Sequence, residues 1–239
     1  MNILVTGVSR GVGIEICKVL LENGNTIFGV ARTFSHEFNE LQQNYPDKLF
    51  FKSIDLSDPE KVNKLIFKDF VGKTPLHAFV NNAAMAYDDI ITNLQITKLE
   101  EMYKVNVFTP MILTKYAIRN MLLYRTKGSI IHISSISVHT GYKGLAMYAS
   151  SKGALEAFSK NTAREYGGIG IRSNIVVPGF METAMSATLT EEQKNRIYNR
   201  TSLKSATDIK SVAETVAFLI SEKASSITGQ NIHVDNGTI

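Results

Sequence analysis

Short, continuous apolar runs alternate with longer stretches of helical period from one end of this chain to the other. The runs NILV, FVN, IIHI and NIVV lack the every-other-residue polarity of a half-exposed strand. Strands of this kind are covered on both faces, as in a parallel sheet between helices. They are predicted at Ile3–Thr6, Thr26–Val30, Leu49–Ile54, Leu76–Asn81, Ser129–Ser134, Asn174–Val177 and Asn231–Val234. Between them the spacing predicts helices over Val12–Asn23, Pro59–Phe70, Leu99–Tyr124, Tyr148–Tyr166 and Asp208–Ser221. Asn23-Gly24 supplies a stop for the first. Pro59 takes the first helical position of the second, and Pro110 predicts a kink or break within the third. The alternation implies a doubly wound α/β sheet of about seven parallel strands with helices on both faces, a single domain over 1–239. One segment, Phe180–Thr207, breaks the pattern: it is polar, rich in Met and Thr, with a short helical signal near Glu191–Tyr198. A substrate lid at about 180–207 is the expectation there, with local disorder as the alternative.

At 239 residues and 44% hydrophobic, the chain is long enough to bury a core without staples. Its 26 basic and 22 acidic residues leave a net charge of +4, with no block of like charges, so no nucleic-acid partner is expected. The single cysteine, Cys17, excludes an intrachain disulfide and points to a reducing compartment. No apolar run approaches the roughly 18 residues of a membrane span. The opening MNILVTG already reads as a strand entering a turn, leaving no room for a signal peptide. A soluble, cytoplasmic protein is expected.

Thr6-Gly7-Val8-Ser9-Arg10-Gly11-Val12-Gly13 leads from the first strand directly into a helix. Glycines here permit a tight turn and close approach of a pyrophosphate, and the helix N-terminus offers N–H groups and a positive dipole end. The spacing is not GxGxxG, and the missing Gly-Lys-Ser/Thr excludes a phosphate-binding NTPase loop. A purely structural turn is the alternative. An acidic residue about 20 residues past the glycines would accept hydrogen bonds from an unmodified ribose. Ala31-Arg32-Thr33 stands at the end of the second strand instead. Arg32, aided by Arg10, suits a 2′-phosphate, so NADP(H) is expected over NAD(H).

Tyr148-Ala149-Ser150-Ser151-Lys152 places a phenol and an amine at i and i+4, on one helix face. An adjacent ammonium favours the phenolate, bringing the tyrosine toward a useful acid/base range. Ser135 follows the Ser129–Ser134 strand, at the carboxyl edge where open α/β sheets place ligands. Ser134 is expected to point to the opposite face.

With these residues in view, the chain closely resembles the short-chain dehydrogenase/reductase family over nearly all its length. The resemblance rests on TGVSRGVG at Thr6–Gly13, Asp55-Leu56, NNAA at Asn81–Ala84, VNV around Asn106, Ser135, YASSK at Tyr148–Lys152, Pro178-Gly179 and the closing ITGQNIHVDNG. It implies a Rossmann-type fold and a catalytic set of Ser135, Tyr148, Lys152 and Asn106. In that set Tyr148 gives a proton to a carbonyl, Lys152 binds the nicotinamide ribose and lowers the tyrosine pKa, Ser135 bonds the substrate oxygen, and Asn106 holds a water. Cofactor contacts implied are Gly7, Ser9, Arg10, Gly11, Val12, Gly13 and Arg32, then Asp55 and Leu56 at the adenine and Asn82 and Ala83 at the ribose. Tyr148, Lys152, Pro178, Gly179, Met181 and Thr183 complete the cofactor set. Ala84 departs from the glycine that usually ends the NNAG motif.

Within the family the chain looks most like the 3-oxoacyl-(acyl-carrier-protein) reductases, through its SRG turn, PGFMET and ITGQ. Arg125 and Lys127 are candidate contacts for an acidic acyl carrier protein. Ile169 stands where such reductases often carry a second basic residue. A reductase of a small ketone, sugar or secondary metabolite is the alternative, and a cofactor-binding scaffold without chemistry a further one. The resemblance also implies a homotetramer, or a dimer, packed through the Leu99–Tyr124 and Tyr148–Tyr166 helices. No metal site is expected, because His36, His77, His132, His139 and His233 lack ligand spacing. His139 either lines the mouth or lies on a surface loop. Cys17 reads as a buried small hydrophobe. Phe180, Met181, Met185 and Leu189 read either as an apolar substrate wall or as ordinary packing.

Overall fold

Seven strands run parallel: β1 (Asn2–Thr6), β2 (Thr26–Ala31), β3 (Leu49–Ser53), β4 (Ala78–Asn81), β5 (Gly128–Ile133), β6 (Ile171–Pro178) and β7 (Asn231–Val234). The computed structural model describes residues 1–183 and 189–238, and in it the strands hydrogen-bond in the order β3-β2-β1-β4-β5-β6-β7. The order reverses between β1 and β4, and a crevice opens there at the carboxyl ends of the strands.

Period-two alternation divides the core between the two faces. Ile3 and Val5 of β1 pack with α1 (Val12–Glu22) and α8 (Ile209–Ile220) on one face. Leu4 of β1 and Phe79 of β4 pack with α4 (Thr109–Tyr124) on the other. The sheet is therefore sandwiched, which is why its central strands are apolar at successive positions.

The predicted helix Leu99–Tyr124 is found as α3 (Ile96–Tyr103), a π-helical turn Lys104–Phe108, and α4. No break occurs at Pro110; the chain stays helical. A proline ring crowds the carbonyl four residues back, here that of residue 106, and the backbone widens over that turn. The second predicted helix is confined to a π-helical stretch, Asn63–Val71, leaving Pro59 outside it. Sequence reasoning missed α2 (His36–Asn44), which buries only Phe38 and Leu41 and is started by Ser35, whose hydroxyl accepts from Phe38 N. The tyrosine-bearing helix α6 spans Ala146–Tyr166 and follows a single turn, α5 (Ser137–Thr140). In the excursion before α8, α7 (Glu191–Tyr198) is capped by Thr190 and Gln193 in a reciprocal box. No described helix is long and apolar enough to cross a membrane.

Candidate active site

Glycine geometry builds the floor of the crevice. Gly7 has φ +73°, and a Cβ on it would lie 2.8 Å from Ala83 Cα. A Cβ on Gly13 would lie 2.0 Å from the Gly7 carbonyl oxygen. Only a side chain of hydrogen lets β1, the turn and α1 come this close. No side chain caps the α1 N-terminus at Gly11, so its first N–H groups and positive dipole end are free for an anion.

The turn is also anchored from β4. Asn82 Nδ2 donates to the carbonyls of Thr6 (3.0 Å) and Gly7 (3.1 Å), and Thr6 Oγ1 accepts from the backbone N–H groups of Asn82 and Ala83. The motif implies a ribose contact for Asn82; its Nδ2 shapes the turn, and the residue also lines the cleft. Thr6 entered the sequence reading only as part of a motif, and its buried hydroxyl is the other half of this anchor.

The cleft encloses about 1380 Å³. Gly7, Ser9, Arg10, Gly11, Val12 and Gly13 line it with Arg32, Asp55, Leu56, Asn82 and Ala83 toward one end. Ser135, Tyr148, Lys152, Pro178, Gly179, Met181 and Thr183 line the other. Among the described residues neither Arg10 nor Arg32, both exposed, pairs with a carboxylate. Asp55 accepts from Ser57 N and so holds a tight turn beside the cleft. An elongated cleft with a glycine floor, an open helix N-terminus and two unpaired guanidinium groups fits a dinucleotide carrying phosphates.

Asn106 is the predicted site residue that does not line the cleft. It is buried in the π-helical turn, accepting from Met85 N and donating to Met85 O and to Ser151 Oγ. Ser151 in turn donates to the Tyr148 carbonyl, so Asn106 ties the loop after β4 to the tyrosine-bearing helix. Its side-chain amide is thus engaged with protein.

Ser134 and Ser135 part as expected. Both residues line the cleft, but Ser134 Oγ donates to Glu156 of α6, whereas Ser135 Oγ accepts from Ser137 N (3.2 Å) and Ser137 Oγ (3.0 Å). With both acceptor sites filled, the Ser135 proton is left to be donated into the cleft. Ser137 went unnoticed because nothing in ISSIS marks the third serine as a donor to the second.

Burial outweighs the neighbouring ammonium at Tyr148, and Lys152 itself is drawn to a backbone carbonyl. Its Nζ donates to the Ile133 carbonyl at 2.8 Å and lies 5.7 Å from the tyrosine ring centroid. Burial, helped by the Asp88 carboxylate, pushes the phenol up to about 12. Burial alone pushes the Lys152 amine down to about 8, from an ordinary 10.5. The site thus holds a protonated phenol beside a destabilised ammonium.

The lysine has a consequence for stability. Its folded value lies below the unfolded one, so the unfolded chain binds more protons between pH 8 and 10.5, and stability rises across that window. At neutral pH the buried charge costs on the order of 3 kcal/mol, because each tenfold loss of proton affinity on folding is worth about 1.4 kcal/mol. Lys152→Met, similar in length and uncharged, should raise the melting temperature at pH 7, with the gain shrinking as pH rises from 8 to 10.5. A variant less stable than wild type at pH 7 would contradict this.

Of the residues before α8, Phe180, Met181, Leu189 and Ile197 line the cleft, and Met185 lies outside the described residues. Tyr198 donates to Glu182, joining α7 to the strand exit after β6. Lys104, Lys143, Asp88 and Glu101 mark the mouth. Arg125 and Lys127, expected near it, immediately precede β5, at the amino edge of the sheet. A six-residue strand separates them from Ser134 by about 20 Å, at roughly 3.3 Å per residue. Ile169, 52% exposed, lies in the turn Gly167–Ile169 before β6, at that same edge. Cys17 is fully buried, which pushes its thiol up, and no group of His, Cys, Asp and Glu able to hold a metal occurs among the described residues.

A family model described as enoyl-(acyl carrier protein) reductase matches residues 7–238. A 3-oxoacyl-[acyl-carrier-protein] reductase of Aquifex aeolicus is 32% identical over 237 residues, covering 98% of this chain and 95% of that protein. That of Escherichia coli is 31% identical over 234 residues, with 98% and 95% covered. Among solved structures, a 4-hydroxyisoleucine dehydrogenase complexed with NADH superposes with a TM-score of 0.90 at 25% identity, covering 99% of this chain and 98% of that one. A short chain dehydrogenase/reductase family protein gives 0.88 at 26%, covering 99% and 96%.

Proposed function

The chain belongs to the short-chain dehydrogenase/reductase family, and on that premise we propose that it is an NADPH-dependent reductase of 3-oxoacyl thioesters. The observation that carries the reading is the shared cleft. Ser135, with a free proton, and Tyr148, with a retained one, line the same cleft as a glycine floor suited to a dinucleotide. Two proton donors in one cleft suit a carbonyl oxygen that gains negative charge as the carbon is reduced. Ser135 stabilises that oxygen and Tyr148 gives it the proton. The nicotinamide dinucleotide supplies the hydride when bound, and Lys152 holds its ribose. Gly7 through Gly13 and the α1 N-terminus hold the pyrophosphate, with Asp55, Leu56 and Ala83 along the adenosine half and Pro178, Gly179, Met181 and Thr183 at the nicotinamide. The segment 180–207 acts as the substrate lid.

Arg10 and Arg32 favour NADPH, since charge-assisted pairing to a 2′-phosphate is worth about 1.5–3 kcal/mol. Arg32→Ala should therefore lower kcat/KM for NADPH by about 10- to 100-fold and leave NADH use nearly unchanged. Parallel kinetics with the two cofactors decide it, and equal losses with both would overturn the assignment.

For the substrate, acetoacetyl thioesters, free β-keto esters, and sugar or cyclic ketones are compared side by side, with thioesters expected to react fastest. The mixed charge of the mouth favours a second reading, a reductase of a small ketone that needs no carrier protein. Faster turnover of free ketones would select it. A homotetramer or dimer is supported by Phe108, Leu122 and Leu123, exposed apolar residues on and beside α4, Leu123 to 74%.

A further inference from the structure

We propose that Glu156 is a positioning residue for Ser135, gripping both ends of the short loop that carries it; this rests on the reductase reading above. Glu156 lies on α6, four residues past Lys152, and its side chain is only 11% exposed. Its Oε1 accepts from Ser134 Oγ at 2.5 Å and from His139 Nε2 at 3.1 Å. Its Oε2 accepts from Asn231 Nδ2 of β7 at 2.6 Å. Ser134 and His139 bracket the segment 134–139, and Ser135 lies inside the bracket.

The backbone of that segment is also tied down. Ser134 N donates to Val176 O, Ile136 N to Pro178 O and His139 N to Ile136 O. Those bonds make no reference to α6; from that helix Lys152 Nζ holds the Ile133 carbonyl just before the segment, and Glu156 holds the segment itself at both ends. Tyr148, Lys152 and Glu156 project from one rigid rod, so both donors to the carbonyl oxygen are located from the same helix. Asn231 fixes the second carboxylate oxygen and thereby the direction of the first. Bonds to a carboxylate are the strong ones, and a reacting group misplaced by about 1 Å can cost 10²-fold in rate.

The test compares Glu156→Ala, Glu156→Gln, Ser135→Ala and the Glu156→Ala/Ser135→Ala double variant. Glu156→Ala should lower kcat by about 10- to 100-fold with NADPH affinity, read by fluorescence titration, unchanged. Glu156→Gln should recover most of the rate, because its amide oxygen still accepts from Ser134 and His139 while the Asn231 amide reverses to face the new N–H. In the Ser135→Ala background, Glu156→Ala should add little, since residues acting as a unit are not additive. Hydrogen–deuterium exchange should quicken in the 134–140 segment of Glu156→Ala and nowhere along the glycine turn.

A full-sized additional loss in the Ser135→Ala background, or unaltered exchange in 134–140, would overturn the proposal. A wild-type protein inert toward every carbonyl tested would instead refute the reductase reading, and the exchange measurement would still judge the clamp.

Discussion

Tyr148→Phe should lower the rate of carbonyl reduction by about 10³-fold and leave NADPH affinity intact, the middle of the range for removing a positioned general acid. The phenol packs with Met85, Met102, Met147 and Tyr87, a cluster that a phenylalanine ring fills equally well, so the melting temperature should stay close to that of wild type. With its pKa pushed up to about 12, the tyrosine retains its proton through the neutral range, as a donor must. Stopped-flow NADPH oxidation with an acetoacetyl thioester, beside a binding titration, separates lost chemistry from lost binding. Retention of even a tenth of the wild-type rate would remove Tyr148 from the donor role.

Gly13→Ala should abolish cofactor binding and cost stability. Its Cβ would fall 2.0 Å from the Gly7 carbonyl oxygen, deep inside van der Waals contact, with Asn82 Nδ2 at 2.6 Å on the same side. Both neighbours are held: Gly7 O accepts from Asn82 Nδ2, and Asn82 N donates to Thr6 Oγ1. The turn can relieve the clash only by opening, which breaks the anchor and moves the α1 N-terminus off its place. Overpacking of this kind costs about 1–3 kcal/mol, a fall of about 2–12 °C in melting temperature at about 2–4 °C per kcal/mol for a chain of this size. Gly24→Ala is the control: φ is +79° there, but no atom lies within 4 Å, so backbone strain of about 1 kcal/mol is the only cost and binding survives. Calorimetry and NADPH titration of both variants test this. A Gly13→Ala protein that binds NADPH normally would show that the glycine floor is not the cofactor cradle.

The architecture was legible because a parallel sheet covered on both faces writes itself as continuous apolar runs, and all seven predicted strands appear in it. What period and propensity missed had local causes. Helix α2 offers only Phe38 and Leu41 to the core, too few to register as an apolar face. Pro110 read as a kink or break and not as the widened π turn beside it, which has no sequence signature distinct from an ordinary helix. Of the site, the predicted residues other than Asn106 line one cleft, but their partners come from elsewhere in the chain. Thr6 acts across 76 residues on Asn82, Glu156 across 22 on Ser134, and Asn231 across 75 on Glu156. Such contacts are properties of the folded chain, and no spacing rule reports them. The Tyr148–Lys152 pair shows the converse: i and i+4 put both on one helix face, yet the amine is drawn to the Ile133 carbonyl and the phenol is governed by burial.

Transfer of deuterium to the product from NADPH carrying deuterium at both C4 positions tests the central claim most directly. Incubated with an acetoacetyl thioester, the wild-type protein should yield the 3-hydroxy product with one deuterium on the carbinol carbon, and Tyr148→Phe almost none. Absence of the alcohol, or an alcohol whose carbinol carbon carries only solvent hydrogen, would contradict reduction by hydride at this site.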